Sequence, residues 1–138
     1  EERLLERRTR EGIRVVHALD SDASYKSFKG LVSLGEHVKE LLHATLNTYA
    51  RMDSRSAVLN MRMDQHIDEE YSRVVVRLVN LMKKNSDNIS DALDVIWAAR
   101  SLERIGDHCI NICENVIYLV EGEDVRHTAL DRIKEKLG

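Results

Sequence analysis

Asp64 and Asp68 stand where a helix should be apolar. Ala57, Met61, Asp64, Asp68, Tyr71, Val75, Leu78 and Met82 follow one another in steps of four and three, the spacing that keeps side chains on one helix face. Bare carboxylates in such a stripe are costly to bury. Something must neutralise them: a bound cation, a basic side chain, or protons.

A second acidic line follows later in the chain. Glu103 and Asp107 are four apart and Asn111 lies one turn further, so the three form a slanting ridge, with Ile110 and Glu114 close to the same line. Gly106 sits inside this ridge, although a mid-helix glycine costs about 1 kcal/mol relative to alanine. Close approach of another backbone or of a bound ion would justify it. Asp64 and Asp68 precede the polar loop Asn85–Asn88 by about as many residues as Glu103 and Asp107 follow it. Equal rise per residue therefore brings the two pairs to similar height on antiparallel helices. Such a carboxylate set suits Mg, Mn, Ca or Fe; it holds too little nitrogen or sulfur for a typical Zn site. The competing reading is ordinary ion pairing of these acids with Arg77, Arg100, Arg104 or His66.

Other chemical candidates carry less. Glu40 and His43 make one Glu-x-x-His pair, where a carboxylate-bridged di-metal enzyme needs two such inward-facing motifs; the pair points away from the apolar face and is expected in solvent. His17, His37, His108 and His127 share no ligand spacing. Cys109 and Cys113, four apart, read as small core residues of a reducing cytoplasm. Trp97 reads as a packing or interface residue, and no glycine-rich phosphate loop is present.

The elements that must position these residues are helices. There is no proline in 138 residues and little glycine, a composition that favours long uninterrupted helices. The pattern predicts a charged leading helix over residues 3–18, closed by the Asp20–Ser24 segment. A second helix is expected from Phe28 to Arg51, with Leu31, Leu34, Val38, Leu41, Leu42, Leu46 and Tyr49 on its buried face. The third, capped by Asp53 or Ser54, should reach Lys84, and the fourth should run from Asp91 to Val120 with Gly122 as its stop. Val95, Ala99, Leu102, Gly106, Cys113 and Ile117, backed by Ile105, Ile112 and Leu119, give the fourth helix a wide arc facing more than one neighbour. The fold class is all-α: an antiparallel three-helix bundle over residues 28–127, an additional N-terminal helix over 1–20, and a short amphipathic tail over 128–138.

Composition narrows function further. One third of residues are charged but the net charge is only −3, without the basic excess expected of a nucleic-acid binder. No apolar run approaches membrane-spanning length and no signal peptide opens the chain. Its first residue is Glu, not Met, which suggests a processed or excised piece.

The run Ala99-Arg-Ser-Leu-Glu-Arg-Ile-Gly-Asp-His-Cys-Ile-Asn-Ile-Cys-Glu114, then Val116–Val120, Gly122 and Val125–His127, resembles the PhoU family. Ser33–Gly35, Tyr49–Asp53, Met63-Asp64 and Asp68–Tyr71 resemble it too, so the likeness extends over most of residues 28–127. That resemblance implies tandem three-helix bundles, of which this chain holds the second plus a leading helix. It implies a metal site at Glu103 and Asp107, with Asp64 and Asp68 as partner acids and Asn111 and Glu114 as looser candidates. The ion would be divalent or trivalent: Mg, Mn, Fe or Zn. The leading helix departs from the family pattern, because Arg10 falls where a first-repeat aspartate is expected after Glu6-Arg7. A missing first bundle would leave apolar surface uncovered, so a homodimer or helix exchange is expected. By resemblance the chain is a cytoplasmic regulator without catalysis, contacting the phosphate importer's ATPase subunit and a membrane sensor histidine kinase, meeting the membrane only through them, and suppressing the phosphate-starvation response. A di-metal bundle enzyme and a purely structural helical adaptor without metal are the alternatives.

Overall fold

Without proline to interrupt them, three stretches of about 30 residues each coil into continuous helices. The structure, a computed structural model, describes residues 22–122, with side chains from residue 29 onward. Helix α1 is Asp22–Arg51, α2 is Ser54–Lys84 and α3 is Ile89–Glu121. One 3-10 turn, Ser86–Asn88, links α2 to α3. No strand occurs among the described residues. The leading helix expected over 1–20 and the tail over 128–138 lie outside the described residues.

Two boundaries differ from expectation. α1 starts at Asp22 and not Phe28, because Ala23, Tyr25 and Lys26 include no helix breaker. α3 starts at Ile89 and not Asp91: Asn85 caps the 3-10 turn by accepting from the Asp87 N–H at 3.0 Å, and Ile89 is already in right-handed helical geometry.

Both reversals are tight and chemically defined. At the end of α1 the Met52 N–H donates to the Tyr49 carbonyl at 3.2 Å and the Asp53 N–H to the Thr48 carbonyl at 3.1 Å, the paired bonds of a Schellman cap. Met52 occupies its left-handed position, φ 52°. Asp53 then caps α2, accepting from the Ser56 hydroxyl at 2.7 Å and from the backbone N–H groups of Arg55 and Ser56 at 3.1 and 3.2 Å. At the end of α3, Gly122 has φ 71° and donates to the Tyr118 carbonyl at 3.0 Å, the stop expected from sequence.

The chain forms two compact units, each taking one segment from every helix. The first comprises residues 22–36 and 69–103 of the described chain, with Leu34, Val74, Leu78, Ala92, Val95 and Ala99 buried. The second comprises 37–68 and 104–122. Its core of Ala57, Val58, Met61, Cys113, Val116 and Ile117, with Ile110 against it, is extended by the buried side chains of Val38, Leu41, Ile67 and Cys109.

The buried face of α1 departs from the leucine pattern. Leu34, Val38 and Leu41 are buried as expected, but Leu42, Leu46 and Tyr49 are exposed, and Thr45 and Thr48 are buried instead. Positions 34, 38, 41, 45 and 48 keep to steps of four and three, so one face continues straight while its residue type changes. The threonines find partners. Asn60 Nδ2 donates to Thr48 Oγ1 at 2.9 Å, and Thr45 Oγ1 lies 3.8 Å from Cys113 Sγ.

Two predictions follow from the first reversal. Met52→Gly is expected to stabilise the protein by about 1 kcal/mol, because glycine lacks the Cβ that strains the left-handed region; the chemical denaturation midpoint reads it. The Asp53 carboxyl is held below its ordinary range, first by the Ser56 hydroxyl, then by the Ser56 N–H, with help from the Arg55 N–H and the Arg51 charge. A depressed folded-state value means the contribution is complete above the unfolded value of about 4 and is lost as pH falls through the folded one. Asp53→Ala should therefore lower the melting temperature at neutral pH and narrow its gap to wild type in acid.

Candidate metal centre

In the second unit, α2 and α3 bring three aspartates together. One carboxylate oxygen from each of Asp64, Asp68 and Asp107 lies within 4.8 Å of the other two. Asp64 and Asp68 are one turn apart on α2, so their side chains rise from the same face. Asp64 is buried, at 9% exposure, and its Oδ1 is shut off from solvent. Asp68 and Asp107 are exposed. Asp68 is thus at the rim and not within the apolar seam expected for it: the buried line of α2 passes through Ile67 and Val74, leaving Asp68 to one side.

Gly106 explains how Asp64 fits. A Cβ at residue 106 would stand 2.7 Å from Asp64 Oδ1, closer than real Cβ atoms approach, and 3.9 Å from Ile67. The close approach anticipated at this glycine is therefore that of a carboxylate oxygen, not of a backbone.

Electrostatics mark the same place. The Asp68 carboxyl is pushed above its ordinary range, first by partial withdrawal from water at the rim and then by the negative charge of Asp107. Clustered carboxylates oppose one another's ionisation, and a cation relieves the opposition. The oxygen-only donor set, the hard anionic chemistry and the cradle kept open by Gly106 all fit a hard metal ion.

The other expected ligands lie differently. Glu103, in the first unit, has a carboxylate only 12% exposed and accepts from Arg100 Nη1 at 2.6 Å. It is not a member of the three-oxygen cluster. Asn111 is exposed on α3, one turn beyond Asp107. Glu40 and His43 are both exposed. Cys109 and Cys113 are free and buried. Burial is the main force raising both thiols, with Asp64 adding to it at Cys109; they are poor thiolate ligands and serve as core residues. The polar set Thr45, Thr48 and Asn60 escaped the sequence reading, since threonine at helical spacing looks no different from a solvated face. The basic residues lining a groove in the first unit escaped it as well, although Arg73 and Arg77 are one turn apart.

Comparison with known proteins agrees with this architecture. The family model of the PhoU domain matches residues 31–116, more than half of the chain. Phosphate-specific transport system accessory protein PhoU of Escherichia coli K12 is 43% identical over 107 residues, covering 78% of this chain and 44% of the relative. The homolog from Pseudomonas aeruginosa is 39% identical over 124 residues, covering 90% of this chain and 51% of its own. The chain thus spans about half the length of these curated relatives. No solved structure matches it significantly.

The raised Asp68 value gives a sign for pH dependence. In the presence of a chelator, the native state should hold this proton more tightly than the unfolded chain. Stability should fall as pH rises from about 4 through the raised folded value. Asp68→Asn should remove that fall, seen as a flatter plot of urea midpoint against pH. A variant that tracks wild type would place no repulsion at Asp68.

Proposed function

This chain belongs to the PhoU family, and we propose that it acts as a metal-holding, non-catalytic regulator of phosphate uptake. The observation that carries the proposal is the convergence of three aspartate oxygens within 4.8 Å, one of them buried against a glycine that leaves it room. Asp64, Asp68 and Asp107 would hold the ion, and its positive charge would offset their repulsion and clamp α2 to α3 in the second unit. Mg, Mn, Ca or Fe suits the oxygen donors better than Zn.

The relatives' printed names tie them to phosphate-specific transport as accessories. We carry that role to this chain: it would contact the importer's ATPase subunit and a membrane sensor histidine kinase from the cytoplasm and restrain the phosphate-starvation response. Exposed apolar side chains on α3, Leu93 and Trp97 one turn apart with Trp97 at 68% exposure, supply surface for such protein contacts or for a second copy. Among the described residues no helix is long and apolar enough to cross a membrane.

A second reading, a helical adaptor without metal, draws support from the Arg100–Glu103 pair, since it shows one acid of the expected set engaged by an ordinary ion pair. A di-metal enzyme has less behind it, because Glu40 and His43 are exposed on α1.

Elemental analysis of the native protein, with thermal melts before and after chelation, separates these readings. Metal binding at a hundredfold excess over Kd should add about 2.7 kcal/mol of stability. Asp64→Asn and Asp107→Asn should abolish the gain; Gly106→Ala should reduce it, because the new Cβ displaces Oδ1. Asp68→Asn, at an exposed position, should keep the fold while weakening the response. Glu103→Gln and Asn111→Ala test the two other ligands that the sequence suggests. A wild type that holds no metal and melts identically with and without chelator would leave the adaptor.

A further inference from the structure

The first unit carries an open groove of about 760 Å³ between α1 and α2, and the charge of its walls is one-sided. Lys29 from α1 and Arg73, Arg77 and Lys84 from α2 line it, against one carboxylate, Glu70. This is unusual in a chain whose overall charge is −3. Among the described residues none of the four cations is in a salt bridge. Steps of four and seven put Arg73, Arg77 and Lys84 on one face of α2, and at 1.5 Å per residue the row is about 16 Å long. Gly30 brings α1 close to α2 here: a Cβ on it would lie 3.2 Å from Val74 Cγ2 and 3.6 Å from Arg77 Nη1. The Arg77 guanidinium therefore extends across to α1, inside the groove.

We propose that this groove binds a linear oligophosphate anion, along the row formed by Lys29, Arg73, Arg77 and Lys84. Guanidinium groups grip phosphate oxygens through paired N–H donors, and lysines add point charge. Ser33 and Asn80, also in the lining, supply neutral donors between the charges. A row of this length exceeds what one orthophosphate can span and suits several linked phosphates. Val74 and Leu81 are the apolar side chains of the lining, with no aromatic platform for a nucleobase and no deep apolar pocket to anchor a peptide side chain. This site is separate from the aspartate cluster, and its test is independent of metal.

The full chain is titrated calorimetrically with inorganic tripolyphosphate, orthophosphate, citrate and a short polyglutamate peptide, in chelator, at low and at physiological salt. Tripolyphosphate should bind one to one, at least about tenfold more tightly than the other three, and weaken as salt screens the charges. The double variant Arg73→Gln/Arg77→Gln should lose at least about tenfold in affinity with an unchanged melting temperature, both positions being exposed. Arg55→Gln/Arg62→Gln, altering exposed arginines of the second unit, should bind as wild type does. Equal loss in both double variants, no loss in the first, tighter binding of the peptide or citrate, or no binding of tripolyphosphate would each overturn the proposal.

Discussion

Repulsion between neighbouring carboxylates is the electrostatic constraint on the second unit, felt at Asp68 through the charge of Asp107. Two unit charges about 5 Å apart repel by about 1 kcal/mol in water and by about 3 kcal/mol at an effective dielectric of about 20. Asp64, Asp68 and Asp107 are gathered more closely than that, and one is withdrawn from water. The helices that carry these acids are held together in the same unit by Ala57, Val58 and Met61 packed with Cys113, Val116 and Ile117.

Close approach is the second requirement, and small or polar residues provide it. Gly106 leaves the space that Asp64 Oδ1 fills. Across the same unit, Thr45, Thr48 and Asn60 replace bulky apolar residues at buried positions and satisfy one another and Cys113. A buried hydroxyl or amide is tolerable only with such partners, and each pairing fixes the helices' register in a way interchangeable leucines would not. Ser54 extends the pattern at the end of this unit, donating to Glu121 at 2.6 Å.

The two units differ in chemistry although the same three helices build both. One gathers carboxylates at a glycine, and the other lines a groove with cations. A sequence-wide charge of −3 conceals this division, because charge acts over about 8 Å at physiological ionic strength and not over the whole chain. Local electrostatics, and not the sum, distinguishes the two units.

Much of this was legible in the sequence, and the boundary is physical. The absence of proline, the 3.6-residue periodicity and the polar turns determined three long helices and an all-α fold, since those depend on neighbours along the chain; the same holds for Asp53 as a cap and Gly122 as a stop. The spacing of Asp64, Asp68, Glu103 and Asp107 gave the acids' place on their helices, and the run around Gly106 gave the family resemblance. Tertiary structure alone decided that Asp107 joins the α2 pair, that threonines displace Leu42 and Leu46 from the buried face of α1, and that Lys29 lines one groove with Arg73 and Arg77; the Arg100–Glu103 pair, three residues apart on one helix, was already open to the sequence. Periodicity assigns a residue to a face to within about one position in either direction, but helix rotation and separation are set by packing between segments far apart in sequence, and a shift of that size moves a side chain from core to rim.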